Sequence, residues 1–310
     1  MEILIPGALP PATIAPELLS YVEKSCPALV ECFISRRARI LPLLPDDTGC
    51  TPLEALELLR RGYRADAPAL TLGAGLGPLR AGVTLPHETV WIADLSSVTV
   101  GTTGAALVHP EALQITAQEA DLLFEAVCGL WEGGPISALP LSPTRWRIWL
   151  NGQPELTSMS PQAMTGMAMA DWWPQHESVR QWRKLLNEIQ MAWHDHPVNQ
   201  ARVERGAPPI NSLWLYGGAR GWKSPEGTVM PQLYTGLNES YTSSDWARWI
   251  EALPALSTHI ATTLRTAPQT TLTLLGQAHG IELSPLVRPW WRQLLPATKQ
   301  NWKTWWNLPN

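Results

Sequence analysis

The feature that most constrains the fold is the alternation of amphipathic helices and short apolar strands through the second half of the chain. One predicted helix carries a single apolar stripe at helical spacing, made of Val179, Trp182, Leu185, Leu186, Ile189 and Trp193. A continuous apolar run at 213–216 and a Thr/Leu segment at 271–275 predict buried strands, and a further helical pattern follows each of them. Helices that alternate with buried strands are typical of a sheet covered by helices. The sequence therefore predicts the α/β class with a mixed sheet.

The first half of the chain contains helices and β-hairpins in a less regular order. The Thr-Pro pair at 51–52 predicts a helix start, because threonine caps a helix and proline fits its first turn. Apolar runs on either side of a Gly-Thr-Thr-Gly turn predict a hairpin at 98–108. The stretch 64–90, rich in Gly and Pro, is the candidate for a long loop or a linker between lobes. We expect an N-terminal lobe at 1–150 and a C-terminal α/β lobe at 151–310.

Tryptophan dominates the aromatic composition, with 17 residues against 2 phenylalanines. Tryptophan buries a large area, and its indole N–H needs a hydrogen-bond partner. We therefore expect a tryptophan-rich core with polar groups at its rim.

Charge and cysteine content exclude several classes of protein. The formal charge is -4, so no overall attraction to nucleic acid or to an anionic membrane is expected. The four cysteines lack Cys-x-x-Cys spacing, which argues against a zinc or redox motif and favours reduced thiols. The N-terminus lacks the basic start of a signal peptide, and no run approaches the roughly 18 apolar residues of a membrane-spanning helix. We expect a cytoplasmic protein without membrane insertion.

The densest set of polar side chains lies at 194–223. A His-Pro-x-Asn motif begins at His196, a basic turn follows, and an apolar strand ends in a Gly-Gly pair. The loop after this strand offers backbone amides and two cations, which are the components of an anion site. The alternative is structural, with the motif capping a helix junction and the loop binding nothing. The candidate ligand-binding residues are His196, Asn199, Arg202, Asn211, Tyr216, Gly217, Gly218, Arg220 and Lys223.

These motifs resemble two families. Residues 194–218 are similar to a segment of the archaeal-type cofactor-independent phosphoglycerate mutases, in which His-Pro-x-Asn, a basic turn, Pro-x-Asn and a strand ending in Gly follow a helix. Over 181–218, together with the strand-rich C-terminus, the chain more closely resembles the bacterial RpfE-type regulatory proteins, which are often labelled phosphoglycerate mutase. The first resemblance implies phosphoryl transfer, and the second implies a regulatory role without a settled activity.

An active mutase of this kind implies two divalent metals held by Asp and His, and a Ser or Thr nucleophile near an Asp-Gly turn. The Asp-Leu-Ser-Ser sequence at 94–97 lacks that glycine, and Tyr216 stands where the mutase strand has arginine. His194 and His196 share no helix face, so they bind one ion only if the helix ends between them. We therefore predict no metal site and no cofactor, and a divalent metal only if the mutase interpretation holds.

Basic and aromatic residues alternate near the C-terminus, where residues 283–310 carry four cations and no acid. Trp302, Lys303, Trp305 and Trp306 are the candidate partner-binding residues in this region. Such a stripe binds a protein partner or single-stranded nucleic acid, or else packs on its own domain.

Three functions remain open from the sequence. The first is a non-catalytic regulatory or interaction protein of the RpfE type, with an unidentified protein partner. The alternative is a phosphoglycerate mutase-like, phosphoryl-handling enzyme. The third is an accessory factor that binds single-stranded nucleic acid or a partner through the C-terminus.

Overall fold

The computed structural model describes residues 1–65, 70–101, 104–151, 156–157, 159–165, 167, 169, 172, 176–286 and 302–306. The strands in chain order are β1 (Glu2–Pro6), β2 (Arg37–Pro42), β3 (Thr89–Ser96), β4 (Val98–Gly101), β5 (Gly104–Leu107), β6 (Ile136–Ser142), β7 (Arg145–Leu150), β8 (Ser212–Arg220), β9 (Gln232–Leu233), β10 (Thr271–Leu275) and β11 (His279–Ser284).

The α-helices, again in chain order, are α1 (Ala15–Ser25), α2 (Pro27–Ser35), α3 (Pro45–Thr48), α4 (Pro52–Arg60), α5 (Leu76–Ala81), α6 (Pro110–Leu113), α7 (Ala117–Glu125), α8 (Pro161–Met164), α9 (Arg180–His194), α10 (Pro197–Glu204), α11 (Asn238–Thr242), α12 (Trp246–Thr266) and α13 (Lys303–Trp306). These elements confirm the predicted α/β class. None of the helices in the described ranges combines the length and the apolar character that crossing a membrane requires.

The chain divides into two compact units whose boundaries differ from the predicted lobes at 1–150 and 151–310. Unit 1 combines residues 1–44 with 227–310, and unit 2 is the continuous segment 45–226. Strand pairing is the reason, because β1 pairs in parallel with β10 from the far end of the chain. Local sequence patterns carry no information about such a distant pairing.

Unit 1 is built on a five-stranded mixed sheet with strand order β2-β11-β10-β1-β9. Strand β1 runs parallel to β10 and β9, while β11 is antiparallel to both β10 and β2. One face of β1 and β10 packs in a core that includes apolar side chains of α1, α2 and α12. Four of the five residues in each of these two strands are buried, so side chains on both faces are covered.

Unit 2 is built on a four-stranded antiparallel sheet with strand order β6-β7-β3-β8. Its core confirms the expected wealth of tryptophan, since the Trp146 ring meets the rings of Phe124, Trp131 and Trp193 edge to face. The Trp193 indole N–H donates to the Leu123 carbonyl at 2.9 Å, so a polar group does satisfy it at the core rim.

The Gly- and Pro-rich stretch 64–90 is not a linker between domains. Its described part forms a 3-10 turn at Leu72–Gly75, helix α5 and the start of β3, all within unit 2. A Cβ atom on Gly77 would lie 2.1 Å from the Val90 carbonyl oxygen and 3.1 Å from the Gly217 Cα. Glycine at position 77 therefore permits close packing of α5 on the sheet.

Candidate functional site

The junction between α9 and α10 contains His196, the first predicted site residue, and His194, which was considered with it as a metal ligand. Helix α9 ends at His194, whose side chain is 81% exposed, and His196 is the N-cap of α10. The His196 Nδ1 atom accepts a hydrogen bond from the Val198 amide at 3.3 Å, and Pro197 occupies the first helical position. His196 therefore caps a helix, as the structural alternative proposed.

Asn199 is buried and joins the end of α9 to the segment that enters β8. Its Nδ2 donates to the carbonyls of Trp193 and Ile210, both at 2.8 Å, and its Oδ1 accepts from the Ile210 amide at 2.7 Å. Asn211 plays a similar part at the end of β3, where its side-chain amide pairs with both backbone polar groups of Val98. Both asparagines hold backbone segments together.

Arg202 is completely buried and forms an ion pair with Glu119 of α7 at 3.0 Å. It also donates to the carbonyls of Pro208 and Leu113, so each guanidinium nitrogen has a partner. Burial raises the pKa of Glu119, but hydrogen bonds from the Thr116 amide, Arg205 and Arg202 outweigh that effect and lower it to about 2. The arginine of the motif is thus part of a buried structural network.

Tyr216 lies at the centre of a second buried network, with 1% of its surface exposed. Its hydroxyl donates to Asp94 Oδ2 at 3.0 Å and accepts from the guanidinium groups of Arg80 and Arg145. Arg145 holds Asp94 through two nitrogens, at 2.7 and 2.9 Å. Burial and the neighbouring Asp94 carboxylate raise the pKa of Tyr216, so the phenol is neutral.

Position 216 holds a tyrosine where the mutase pattern has an arginine, but this network supplies cations at the same place. Arg80 from α5 and Arg145 from β7 bring two guanidinium groups to the Tyr216 hydroxyl. Arg80 also pairs with Glu54 of α4, which in turn accepts a hydrogen bond from Ser160 at 2.6 Å. Two arginines therefore face two carboxylates, and the charges of the network cancel.

Glu54, Arg80 and Arg145 are not among the site residues that the sequence predicts. Glu54 closes the capping box of α4 with Thr51, while Arg80 and Arg145 come from α5 and β7 and belong to no local motif. The available signal was the acid at position 94 inside the otherwise apolar strand β3, because a buried carboxylate requires a cationic partner.

Gly217 and Gly218 shape β8 rather than cradle a ligand. Both have positive φ angles, +101° and +94°, and the pairing with β3 shifts register at this point, which marks a β-bulge. A Cβ on Gly218 would lie 2.5 Å from the Trp91 ring, and one on Gly217 would lie 2.8 Å from the Val90 carbonyl oxygen. Larger residues would therefore force the strands apart.

Arg220 and Lys223 are the predicted site residues whose side chains are exposed. Arg220 ends β8, and Lys223 lies in the loop that follows it. Neither forms an ion pair within the described ranges. These two cations keep the capacity to bind an anion.

The C-terminal tryptophans predicted to bind a partner are buried in unit 1. The rings of Trp302, Trp305 and Trp306 lie 4.9, 4.9 and 5.7 Å from the Phe33 ring, centroid to centroid. Lys303 is exposed and pairs with Glu23 at 2.8 Å. These three indoles therefore pack on their own domain, and partner binding by Trp302, Lys303, Trp305 and Trp306 stays a prediction. Trp290, Trp291 and the other cations of the stripe lie outside the described residues.

The described residues do not form the two-metal centre that the mutase resemblance implies. In the part of the chain that the structure describes, no three His, Cys, Asp or Glu side chains are grouped to hold a metal ion. The Asp94 carboxylate already binds Arg145 and Tyr216, and His196 is used as a cap. No catalytic step through a metal can be derived from these side chains.

Comparison with known proteins gives partial similarity. No family model matches the chain. A probable 2,3-bisphosphoglycerate-independent phosphoglycerate mutase from Geobacter sulfurreducens is 28% identical over 104 residues, which are 33% of this chain and 26% of that protein. The chain thus matches about a quarter of that relative's length.

Two solved structures resemble this chain weakly. One is a cofactor-independent phosphoglycerate mutase from Thermoplasma acidophilum, with a TM-score of 0.38 and 14% identity, covering 92% of this chain and 90% of that chain. The other is a protein from Pyrococcus horikoshii, with a TM-score of 0.46 and 11% identity, covering 92% and 87%. About a third of the chain is therefore similar in sequence to a phosphoglycerate mutase, at a level that does not establish family membership.

Proposed function

We propose that this protein is phosphoglycerate mutase-like and handles a phosphorylated small molecule. The observation that carries the proposal is the similarity over 104 residues to a probable phosphoglycerate mutase. The motif at 194–218, which resembles the same enzymes, lies within unit 2 and holds α9, α10 and β8 together. The exposed cations at the end of β8 supply charge complementary to a phosphate group.

A second candidate is a regulatory or interaction protein of the RpfE type that has no catalytic activity. The observation that favours it is the use of the motif's polar atoms for structure. Asn199, Arg202 and Tyr216 are buried, and their side chains bond to groups of the same unit. A catalytic side chain needs access to its substrate, and these three lack it.

The interconversion of 3-phosphoglycerate and 2-phosphoglycerate tests the proposal. It is measured with Mg²⁺, Mn²⁺ or Co²⁺ added, and again after chelation, while calorimetry follows 3-phosphoglycerate binding. Turnover supports a mutase-like enzyme, and binding without turnover supports a phosphate-binding regulatory protein. A protein that neither binds 3-phosphoglycerate nor converts it contradicts the proposal.

Matched tyrosine variants separate the protein's own activity from a contaminating host mutase. Tyr216→Phe removes the hydroxyl that joins Arg80, Arg145 and Asp94, whereas Tyr21→Phe changes an exposed side chain. We expect the first variant to lower turnover and the second to leave it unchanged. Equal activity in both variants means that the turnover does not depend on this network.

A further inference from the structure

Two short basic segments, 60–64 at the end of α4 and 220–223 at the end of β8, are held together in unit 2. The Tyr63 and Trp222 rings lie 5.4 Å apart, centroid to centroid. A Cβ atom on Gly62 would lie 2.8 Å from the Pro225 Cδ, and one on Gly221 would lie 2.2 Å from the Leu85 carbonyl oxygen. The contacts of Tyr63 and Gly62 fix the loop after β8 against the segment that leaves α4, and the Gly221 contact fixes the same loop against the segment between α5 and β3.

The two segments bring together like charges. Residues 60–64 and 220–223 carry five cationic side chains and no carboxylate, with the acids Asp66 and Glu226 further along the chain, and the formal charge of the whole chain is -4. Packing the segments together concentrates positive charge at one place on a chain that is acidic overall. Such a concentration raises the local potential and attracts anions.

Helix α4 accounts for only two of these five cationic side chains. Arg60 and Arg61 lie at the C-terminal end of α4, where the helix dipole favours cations, and Arg61 pairs with Glu57 at 3.1 Å. Arg64, Arg220 and Lys223 lie outside the helix and are exposed. Arg64 donates one hydrogen bond, to the Tyr63 carbonyl at 2.8 Å, and none of the three forms an ion pair with a described residue.

We propose that Arg64, Arg220 and Lys223 together bind the phosphate group of a small phosphorylated ligand. Two guanidinium forks and one ammonium match the several acceptor oxygens of a phosphate. Tyr63 is buried beneath the surface and Trp222 is partly buried, so the pair does not offer the open aromatic faces on which bases of single-stranded nucleic acid stack. The choice of a small phosphorylated molecule rests on the proposed function, whereas the cationic surface does not.

The test is isothermal titration of the 310-residue protein with 3-phosphoglycerate and, separately, with inorganic phosphate. The variant is Arg64→Gln with Lys223→Gln, and the matched control is Arg180→Gln with Lys184→Gln. The control removes the same two charges from exposed positions of unit 2, where the side chains are 76% and 80% exposed. Thermal melts check that both double variants remain folded.

We expect the Arg64/Lys223 variant to bind 3-phosphoglycerate at least about 10-fold more weakly, because two charge-assisted contacts are lost. The control should change affinity by less than about 2-fold, and wild-type affinity should fall as salt is added. Equal weakening in both double variants, unchanged affinity in the Arg64/Lys223 variant, or no phosphate binding by the wild type overturns the inference. Binding of a single-stranded oligonucleotide without binding of 3-phosphoglycerate overturns it as well.

Two outcomes distinguish failure of the inference from failure of the enzymatic function. Phosphate binding that depends on Arg64 and Lys223 in a protein without mutase turnover leaves the inference standing and removes the enzymatic function. Mutase turnover together with unaltered phosphate affinity in the Arg64/Lys223 variant supports the enzymatic function and overturns the inference.

Discussion

A buried polar side chain costs stability unless its donors and acceptors find partners. Asn199 meets this condition with three hydrogen bonds to the backbone of Trp193 and Ile210. Arg202 meets it through Glu119 and two carbonyl groups. A ligand would have to break these bonds to use either side chain. At the residue scale the motif is therefore structural, and the exposed cations near it are the groups that remain for binding.

The Glu119 carboxylate predicts a pH dependence of stability in the acid range. Its pKa is about 2 in the folded protein against 4.5 for an ordinary glutamate, so its ion pairs stabilise the fold fully above pH 4.5 and are lost as pH falls toward 2. As pH falls from 4.5 toward 2, we expect the free energy of unfolding to decrease less in Glu119→Gln than in the wild type. Glu177→Gln, at an exposed site, is the control and should follow the wild type in a denaturant series.

At the element scale, packing between α5 and the sheet of unit 2 depends on two facing glycines. Gly77 on α5 and Gly217 on β8 approach so closely that a Cβ on Gly217 would lie 2.9 Å from the Gly77 Cα. The same helix carries Arg80 to the Tyr216 hydroxyl. Close backbone packing and the buried charge network are therefore consequences of one contact between elements.

This contact predicts a strong effect for a single added methyl group. Gly77→Ala would place a Cβ 2.1 Å from the Val90 carbonyl oxygen, so α5 must move away from β3. We expect a loss of at least about 2 kcal/mol in the free energy of unfolding, measured by chemical denaturation. Gly129→Ala, at a glycine with no atom within 4 Å of the added Cβ, should stay within about 0.5 kcal/mol of the wild type. A similar loss in both variants contradicts this account.

At the scale of the whole molecule, unit 2 is continuous in sequence and unit 1 is not. Unit 2 has its own sheet and its own tryptophan-rich core within 45–226. Unit 1 needs both chain ends, because β1 lies between β10 and β9 in its sheet.

We therefore expect a fragment of residues 45–226 to unfold cooperatively on its own. A fragment of residues 1–150 should not, because it separates β1 from β10 and β3 from β8. Thermal melts followed by circular dichroism and tryptophan fluorescence compare the two fragments. A cooperative melt of the 1–150 fragment contradicts the division of the chain into units 1 and 2. A melt of the 45–226 fragment that is not cooperative contradicts it as well.

Local patterns were sufficient for the α/β class and for the elements whose signals lie within a few residues. The apolar stripe at 179–193 predicted α9, the Thr-Pro pair at 51–52 predicted the start of α4, and the apolar runs predicted β8 and β10. Side-chain periodicity and helix caps depend on neighbours within about four positions, so the sequence alone contains them.

Tertiary structure alone decided which distant polar groups meet. Arg80 and Arg145 lie 136 and 71 residues before Tyr216 in the chain and yet surround its hydroxyl. The basic segments at 60–64 and 220–223 meet across a similar separation, and the C-terminal indoles pack on Phe33. Such encounters follow from strand order and helix packing, which involve residues far apart in the chain and leave no mark on local periodicity.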